Sequence, residues 1–337
     1  MEDTSARRPG FLSRLKDGLR GAPRGEEPVP TVRVALNAYG KLPIYKDFIS
    51  AGLTEPGARE FRNWIDRGFS HRWSTDEAYR DIEIPRHLFL LRLPESGVFV
   101  IGCLWGSQDE GGLRRFPFTL FATIPGGHRA ADPLTATESL EAMNRQADAV
   151  GKDFGPGGSL AGFYRAYRGA ELDLPVKPPK RIRREAQGEL ERVTISSFAH
   201  VLYGDEAPVE WPALLARLTS FAREPREDGV RAVRLPLSGA LTRAREMQFW
   251  LLWLDARGPR HEVSGLLYAP GSSPARVALL QRDLRPEDFF LLHPARFEYP
   301  FAADFSARPA PAQEAPAPQA ASVPAGWDRP LSSLLET

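Results

Sequence analysis

The sequence predicts a layered α/β fold, because strand-like runs alternate with helix-like stripes along most of its length. Three runs in the first half, residues 87–93, 98–104 and 116–124, are almost continuously apolar. Such runs are typical of strands that are covered on both faces, so we expect a sheet with helices packed on it. Stripes of apolar residues three or four positions apart supply the helices.

Length and composition restrict the class of protein. The chain has 337 residues, 42% hydrophobic and 26% charged, which fits one large or two moderate globular domains. The net charge of +1 gives no general attraction to nucleic acid or to a membrane. The longest apolar run, residues 249–254, is far shorter than the roughly 20 residues that span a bilayer, and no signal peptide is recognisable. Cys103 is the only cysteine, so we predict a reducing, cytoplasmic location.

A flexible leader is predicted at residues 1–30, where glycines and prolines interrupt any long element. Its apolar residues at helical spacing, within residues 11–20, leave open a short amphipathic helix for a partner or a membrane surface.

A first α/β domain is predicted at residues 31–170. It starts with a strand at residues 32–36 and a loop at residues 39–48. A helix capped by Thr54 follows, with its stripe on Phe61, Trp64, Ile65 and Phe69, and a second helix covers residues 134–150.

A second α/β part is predicted at residues 188–305, packed on the first domain or continuous with it. We expect strands at residues 192–198, 230–235, 249–254, 262–268 and 277–281, and helices at residues 211–221 and from residue 285. Residues 306–337 are rich in alanine and proline and predict a disordered tail. Its last segment, residues 330–336, is open to two interpretations, a docking motif or a plain terminus.

The sequence contains no recognisable catalytic or cofactor-binding motif. The six histidines are scattered, and no zinc spacing, nucleophile elbow or Walker motif is present. Residues 155–158 are better interpreted as a helix-terminating loop than as a phosphate loop. The basic segment at residues 177–184 favours an exposed linker or strand edge over a grip on phosphate. We therefore predict no catalytic residue, no metal, no cofactor, no nucleic-acid partner and no integral membrane segment.

Two short motifs resemble those of the TagF/ImpM family, accessory proteins of bacterial type VI secretion. They are Tyr39-Gly-Lys-Leu-Pro43, followed by Asp47-Phe48, and Arg115-Phe-Pro-Phe-Thr-Leu120. The similarity is best over residues 33–125. The chain departs from the family pattern at Lys46, where glycine is usual, and at Phe118, where leucine is commoner.

The resemblance implies a three-layer α-β-α fold with a mixed sheet and a cytoplasmic, non-enzymatic role. That role is post-translational control of apparatus assembly, linked to a forkhead-associated scaffold protein and to threonine phosphorylation. The residues that match the motifs, together with Lys46, are candidates for partner binding: Gly40, Lys41, Leu42, Pro43, Lys46, Asp47, Phe48, Arg115, Phe116, Pro117 and Thr119. Two alternatives stay open: these residues match only because they pack, or Lys41 and Asp47 form the acid/base pair of a hydrolase-like enzyme in a cleft.

Overall fold

The structure is a computed structural model that describes most of the chain between residues 29 and 336. The described residues are 29–70, 77, 83–223, 232–257, 263–272, 275–293, 302–306 and 325–336. Nearly all of the predicted leader, and residues 307–324 of the predicted tail, lie outside the described residues.

Strands and helices alternate as the sequence predicts. The strands are β1 Thr31–Ala35, β2 Asn37–Gly40, β3 Ile49–Ala51, β4 His87–Arg92, β5 Phe99–Trp105, β6 Phe118–Ile124, β7 Glu171–Pro175, β8 Ala232–Pro236, β9 Gly265–Tyr268, β10 Arg276–Leu280 and β11 Ala302–Asp304. The α-helices are α1 Pro56–Gly68, α2 Pro133–Asp153, α3 Leu160–Tyr167, α4 Pro179–Leu190, α5 Ile195–Tyr203, α6 Ala207–Arg223 and α7 Arg243–Asp255. Short 3-10 turns occupy Arg129–Ala131, Gly204–Glu206, Pro286–Leu292 and Leu331–Leu335.

The described strands form one large sheet and one small sheet. Nine strands follow the order β11-β8-β10-β9-β4-β5-β6-β2-β3, while β1 and β7 pair separately. Neighbours in the large sheet are antiparallel except β11 and β8, so the sheet is mixed. Leu88 of β4 lies opposite Tyr268 of β9. Through this pair the second half of the chain continues the sheet of the first half.

Side chains of the sheet enter two cores, one on each face. In β4, Leu88 and Leu90 belong to one core, whereas Phe89 and Leu91 belong to the other. Helices α2 to α7 cover the first core, and α1 with the 3-10 turn at Pro286–Leu292 covers the second. Helical layers on both faces confirm the predicted α/β class and the three-layer order.

Two predicted strands are helices, and each has an identifiable cause. Residues 249–254 lie in α7, where every residue from Arg245 to Leu254 is buried. A helix that is buried all round carries no polar face, so its sequence resembles a buried strand. Residues 192–198 run into α5, because the Thr194 hydroxyl accepts a hydrogen bond from the Ser197 N–H and caps a helix.

Smaller differences occur at two other helix starts. Helix α1 has Glu55 rather than Thr54 at its N-cap and begins with Pro56. The basic segment at residues 177–184 is neither a linker nor a strand edge, since α4 begins within it at Pro179.

An ionic cluster joins α2, α4 and α7. Arg245 contacts Glu189 at 2.8 Å, Glu138 at 3.1 Å and Glu185 at 3.3 Å. Lys177 adds contacts of 2.8 Å to Glu185 and 3.0 Å to Glu138. Burial acts to raise the pKa of Glu185, but hydrogen bonds from Lys177 and the neighbouring arginines outweigh it and lower the pKa to about 2.

The extended tail expected beyond residue 305 does not include residues 325–336. Trp327 and Leu331 are buried against the core under α4, α5 and α7. Large apolar side chains within an Ala/Pro-rich segment give this short stretch enough area to bury, whereas alanine and proline alone give little.

Candidate functional site at the motif corner

The two sequence motifs meet at one corner of the sheet, formed by residues 39–48 and 107–119, which we call the motif corner. Gly40 lies opposite Phe118 in the pairing of β2 with β6. Its φ is +128°, and a Cβ atom there would lie 2.0 Å from the carbonyl oxygen of Pro117. Glycine is required on both counts, because other residues avoid this φ and no side chain fits against the opposing backbone. The motif glycine therefore allows the two segments to touch.

Four motif residues serve packing. Leu42 and Phe116 are 3% and 4% exposed, Pro117 is also buried, and Thr119 is 1% exposed. The Thr119 hydroxyl donates a hydrogen bond of 3.0 Å to the carbonyl oxygen of Cys103 on β5. These contacts bind β6 to its neighbours, so burial alone accounts for these four positions. Pro43 is half-buried.

Lys41 is also buried, with its side chain only 3% exposed. Its ammonium lies 3.7 Å from Oδ2 of Asp109 and 4.7 Å from the centroid of the Phe48 ring. It also donates a hydrogen bond of 3.5 Å to the carbonyl oxygen of Lys46. A buried ammonium is costly without such partners. Lys41 thus joins the loop at residues 41–48 to the loop at residues 107–115 from the inside.

Asp109, which lies outside both sequence motifs, organises the second loop. Its Oδ1 accepts hydrogen bonds from the N–H groups of Leu113 and Arg114, and its Oδ2 accepts one of 2.8 Å from Nε of Arg114. Burial acts to raise the pKa of Asp109, but these hydrogen bonds and the charge of Lys41 hold it below the usual carboxyl value. The turn composition Asp109-Glu-Gly-Gly112 was the available signal, since an aspartate followed by glycines favours a turn fixed by its own side chain.

Three aromatic rings pack together at the corner, and of these only Phe48 is exposed. Phe48 stacks on Tyr39 with ring centroids 5.6 Å apart and meets Phe116 edge-on at 4.8 Å. The Tyr39 hydroxyl donates a hydrogen bond of 2.7 Å to Asp66 of α1. Burial and this hydrogen bond raise the pKa of Tyr39 well above its usual value. The ring cluster connects the corner firmly to α1.

The exposed part of the motif corner is small and mixed in character. Lys46, Asp47, Phe48 and Arg115 are exposed, and Leu113 is 89% exposed. The guanidinium of Arg114 donates to the carbonyl oxygen of Lys46, and the Glu110 N–H donates to that of Tyr45 at 3.1 Å. These two contacts hold the exposed residues of both loops side by side.

The structure does not assemble the predicted acid/base pair. Lys41 is buried against Asp109, whereas Asp47 is exposed and its carboxylate accepts the N–H of Phe48 at 2.8 Å. A cleft of about 970 Å³ lies near the sheet edge beside β3, and neither residue lines it. The hypothesis of an enzyme that uses Lys41 and Asp47 in one cleft therefore has no geometric support.

Across the described ranges, no three His, Cys, Asp or Glu side chains are grouped as ligands for a metal ion. Among the helices that the structure describes, none combines the length and the apolar character that crossing a bilayer requires.

Comparison with known proteins identifies the segment that contains the motif corner. Residues 37–154 match the family model described as the TagF N-terminal domain, type VI secretion system-associated. This segment carries the TagF N-terminal domain. The predicted resemblance is confirmed there, and the domain marks the chain as a type VI secretion-associated protein. The TagF segment runs from β2 to the end of α2.

Among solved structures, the crystal structure of PA0076 from Pseudomonas aeruginosa PAO1 is similar to this chain. It shares 19% sequence identity with a TM-score of 0.35, over 78% of this chain and 96% of that chain. The curated proteins gave no match.

Proposed function

We propose that this protein is a non-enzymatic accessory protein of a type VI secretion system, which binds another protein through the exposed part of the motif corner. By this binding it restrains assembly of the apparatus after translation, in the cytoplasm. The observation that carries the proposal is the large apolar side chain of Leu113, which is 89% exposed. Its loop is held in place by the hydrogen bonds of Asp109 and the contact of Asp109 with Lys41.

Fixing this loop matters for binding. A flexible loop loses conformational entropy when it binds, whereas a loop already held by buried hydrogen bonds loses less. Arg114, the residue after this leucine, donates a hydrogen bond to the carbonyl oxygen of Lys46, two residues before the partly exposed ring of Phe48. An apolar centre with a charged rim is the usual composition of a protein–protein contact. Lys46, Arg114 and Arg115 supply the cations of that rim, and Asp47 and Glu110 supply the carboxylates.

The partner we propose is a type VI secretion component, with a forkhead-associated scaffold protein as the first candidate, because the family resemblance implies one. Lys46 stands where relatives have glycine, so the present chain adds a cation at this surface. We expect partner preference to differ from that of relatives at this position.

The test uses the full chain with an affinity tag, produced in its own bacterium. Leu113→Asp places a charge at the centre of the surface, and Val209→Asp is the matched control on α6, where valine is 48% exposed. We expect Leu113→Asp to reduce recovery of type VI components by about tenfold or more, as for an interface centre, and to increase secretion. Val209→Asp should change neither.

A combined variant, Leu113→Asp with Lys46→Glu, makes the test decisive. These residues are exposed, so both variants should unfold at the temperature of the unaltered chain. If the combined variant recovers the same partners and secretes normally, the motif corner is not the recognition surface.

A further inference from the structure

Residues 325–336 lie in a groove that is separate from the motif corner. We call residues 325–336 the strap, and the surface formed by the start of α5 with α4 and α7 the strap groove. Within the strap, Leu331 is fully buried and Trp327 is 7% exposed. Leu334 and Leu335 are half-buried on the same core. The strap thus docks mainly through Trp327 and Leu331, which are buried in the strap groove.

Backbone hydrogen bonds fix the register of the strap. The Ser196 N–H donates to the carbonyl oxygen of Trp327 at 2.9 Å, and the Ile195 N–H donates to that of Arg329 at 3.0 Å. In the opposite direction, the Leu331 N–H donates to the carbonyl oxygen of Val193 at 2.8 Å. The first N–H groups of a helix have no partner within the helix. Here the carbonyl oxygens of Trp327 and Arg329, in the turn that precedes the 3-10 helix Leu331–Leu335, satisfy two of them.

Side chains add selectivity for a short pattern. The Trp327 ring packs edge-on against His200 with centroids 5.9 Å apart, and the Ser196 hydroxyl lies 3.5 Å from the Asp328 carboxylate. Pro330 forms a bridge with Thr194, and its fixed φ sets the chain for the buried leucine that follows. The recognised pattern is Trp-x-x-Pro-Leu, in residues 327–331.

The connection to the rest of the chain makes the strap a tethered ligand. Residues 307–324 separate the strap from the end of the sheet, and seven of these 18 residues are alanine and five are proline. Because the strap is covalently joined to the chain that carries its groove, it acts at an effective concentration on the order of millimolar. It can therefore occupy its groove even where its affinity as a free peptide is modest.

We propose that the strap groove is a peptide-binding site for segments of the pattern Trp-x-x-Pro-Leu. Residues 325–336 occupy it in cis and exclude a segment of the same chemistry on another protein. Release of the strap opens the site, so the tail regulates access to this face of α5.

The test compares an intact chain with a cut chain. A protease recognition sequence replaces residues 313–318 of the full chain, and cleavage followed by gel filtration removes the strap. A fluorescent peptide of residues 325–336 is then titrated against both forms. On the intact chain the tethered strap competes, so we expect half-saturation at a peptide concentration near millimolar. On the cut chain, half-saturation should need a peptide concentration at least about tenfold lower.

Peptide variants distinguish specific recognition from non-specific binding. Peptides with Trp327→Ala or Leu331→Ala should bind at least about tenfold more weakly, as for buried anchors. A Glu336→Ala peptide is the matched control, because Glu336 is exposed, and it should bind normally. The proposal fails if the folded cut chain binds no peptide at several times the concentration expected to half-saturate the intact chain. It also fails if the Trp327→Ala peptide binds the cut chain as tightly as the unaltered peptide.

A second measurement covers the case in which the cut chain unfolds. Hydrogen exchange on the intact chain reports the Leu331 amide directly, since this N–H is bonded to Val193. Excess free peptide should accelerate its exchange by displacing the strap, while the Trp327→Ala peptide should not. An amide that stays protected at saturating peptide would overturn the proposal.

Discussion

Substituting Gly40 tests whether the contact between the two motifs depends on the absence of a side chain. In Gly40→Ala, the new Cβ would lie 2.0 Å from the Pro117 carbonyl oxygen and 2.8 Å from the Phe118 Cα. Both are backbone atoms of the neighbouring strand, so relief requires β2 and β6 to separate. The φ of +128° adds about 1–3 kcal/mol of strain for a residue with a Cβ atom. We expect the free energy of unfolding to fall by roughly 3 kcal/mol or more once the clash is added.

Two other glycines supply controls: Gly97 shares the positive φ of Gly40 without its crowding, and Gly188 has neither. Gly97 also has positive φ, +67°, but a Cβ atom there would meet nothing within 4 Å. Gly97→Ala should therefore cost only about 1–2 kcal/mol for its backbone conformation. Gly188 lies in α4 with open space around it, so Gly188→Ala should stabilise the protein by about 0.5–1 kcal/mol.

The assay is urea unfolding followed by tryptophan fluorescence and circular dichroism, with all three variants at the same pH and salt. The order of stability should be Gly188→Ala, unaltered chain, Gly97→Ala, Gly40→Ala. If Gly40→Ala and Gly97→Ala cost the same within error, close approach of the motifs contributes nothing, and the motif glycine serves backbone conformation alone.

Three further predictions concern side chains. Tyr39→Phe removes the hydrogen bond to Asp66, so the free energy of unfolding in urea should fall by about 1–2 kcal/mol. Tyr164 is an exposed tyrosine, so the control variant Tyr164→Phe should lower this free energy less. Thr194→Ala removes the cap of α5 and should cost about 1 kcal/mol in the same assay, whereas Thr194→Ser should restore most of it. Glu185 has a pKa of about 2 in the folded chain and about 4.3 when unfolded, so its stabilisation is complete above pH 5 and is lost as the pH falls towards 2. Allowing for screening at a side chain that is 26% exposed, Glu185→Gln should cost roughly 1–2 kcal/mol at pH 7, and an unchanged deficit at pH 2 would contradict the assignment.

Sequence patterns predicted the parts of this fold whose signal is local. The apolar runs at β4, β5 and β6 are strands because each is covered on both faces, and the stripe at Phe61 and Trp64 marks the buried face of α1. Helix α7 was missed because complete burial removes the periodicity on which the prediction depends. Where the polar face is lost, helix and strand become indistinguishable by pattern.

The candidate site was predicted in outline but not in its chemistry. The two motifs do meet, as the pairing of Gly40 with Phe118 shows. The partner of Lys41 was not predictable, because Asp109 lies 68 positions away and reaches it only through the fold. The docking of Trp327 was not predictable either, because no sequence pattern near the strap indicates that its carbonyl oxygens accept hydrogen bonds from the first N–H groups of α5.

The order of strands in the large sheet has a consequence for how the chain is made. The TagF segment ends at residue 154, yet its strand β4 hydrogen-bonds to β9, which ends at Tyr268. During synthesis at about 5–20 residues per second, β4 therefore waits roughly 10–35 s for its neighbour. The edge of β4 that faces away from β5 invites pairing with other chains during that interval. Fast translation, or a chaperone that shields Leu88 to Leu91, would raise the yield of native protein without changing the stability of the finished fold.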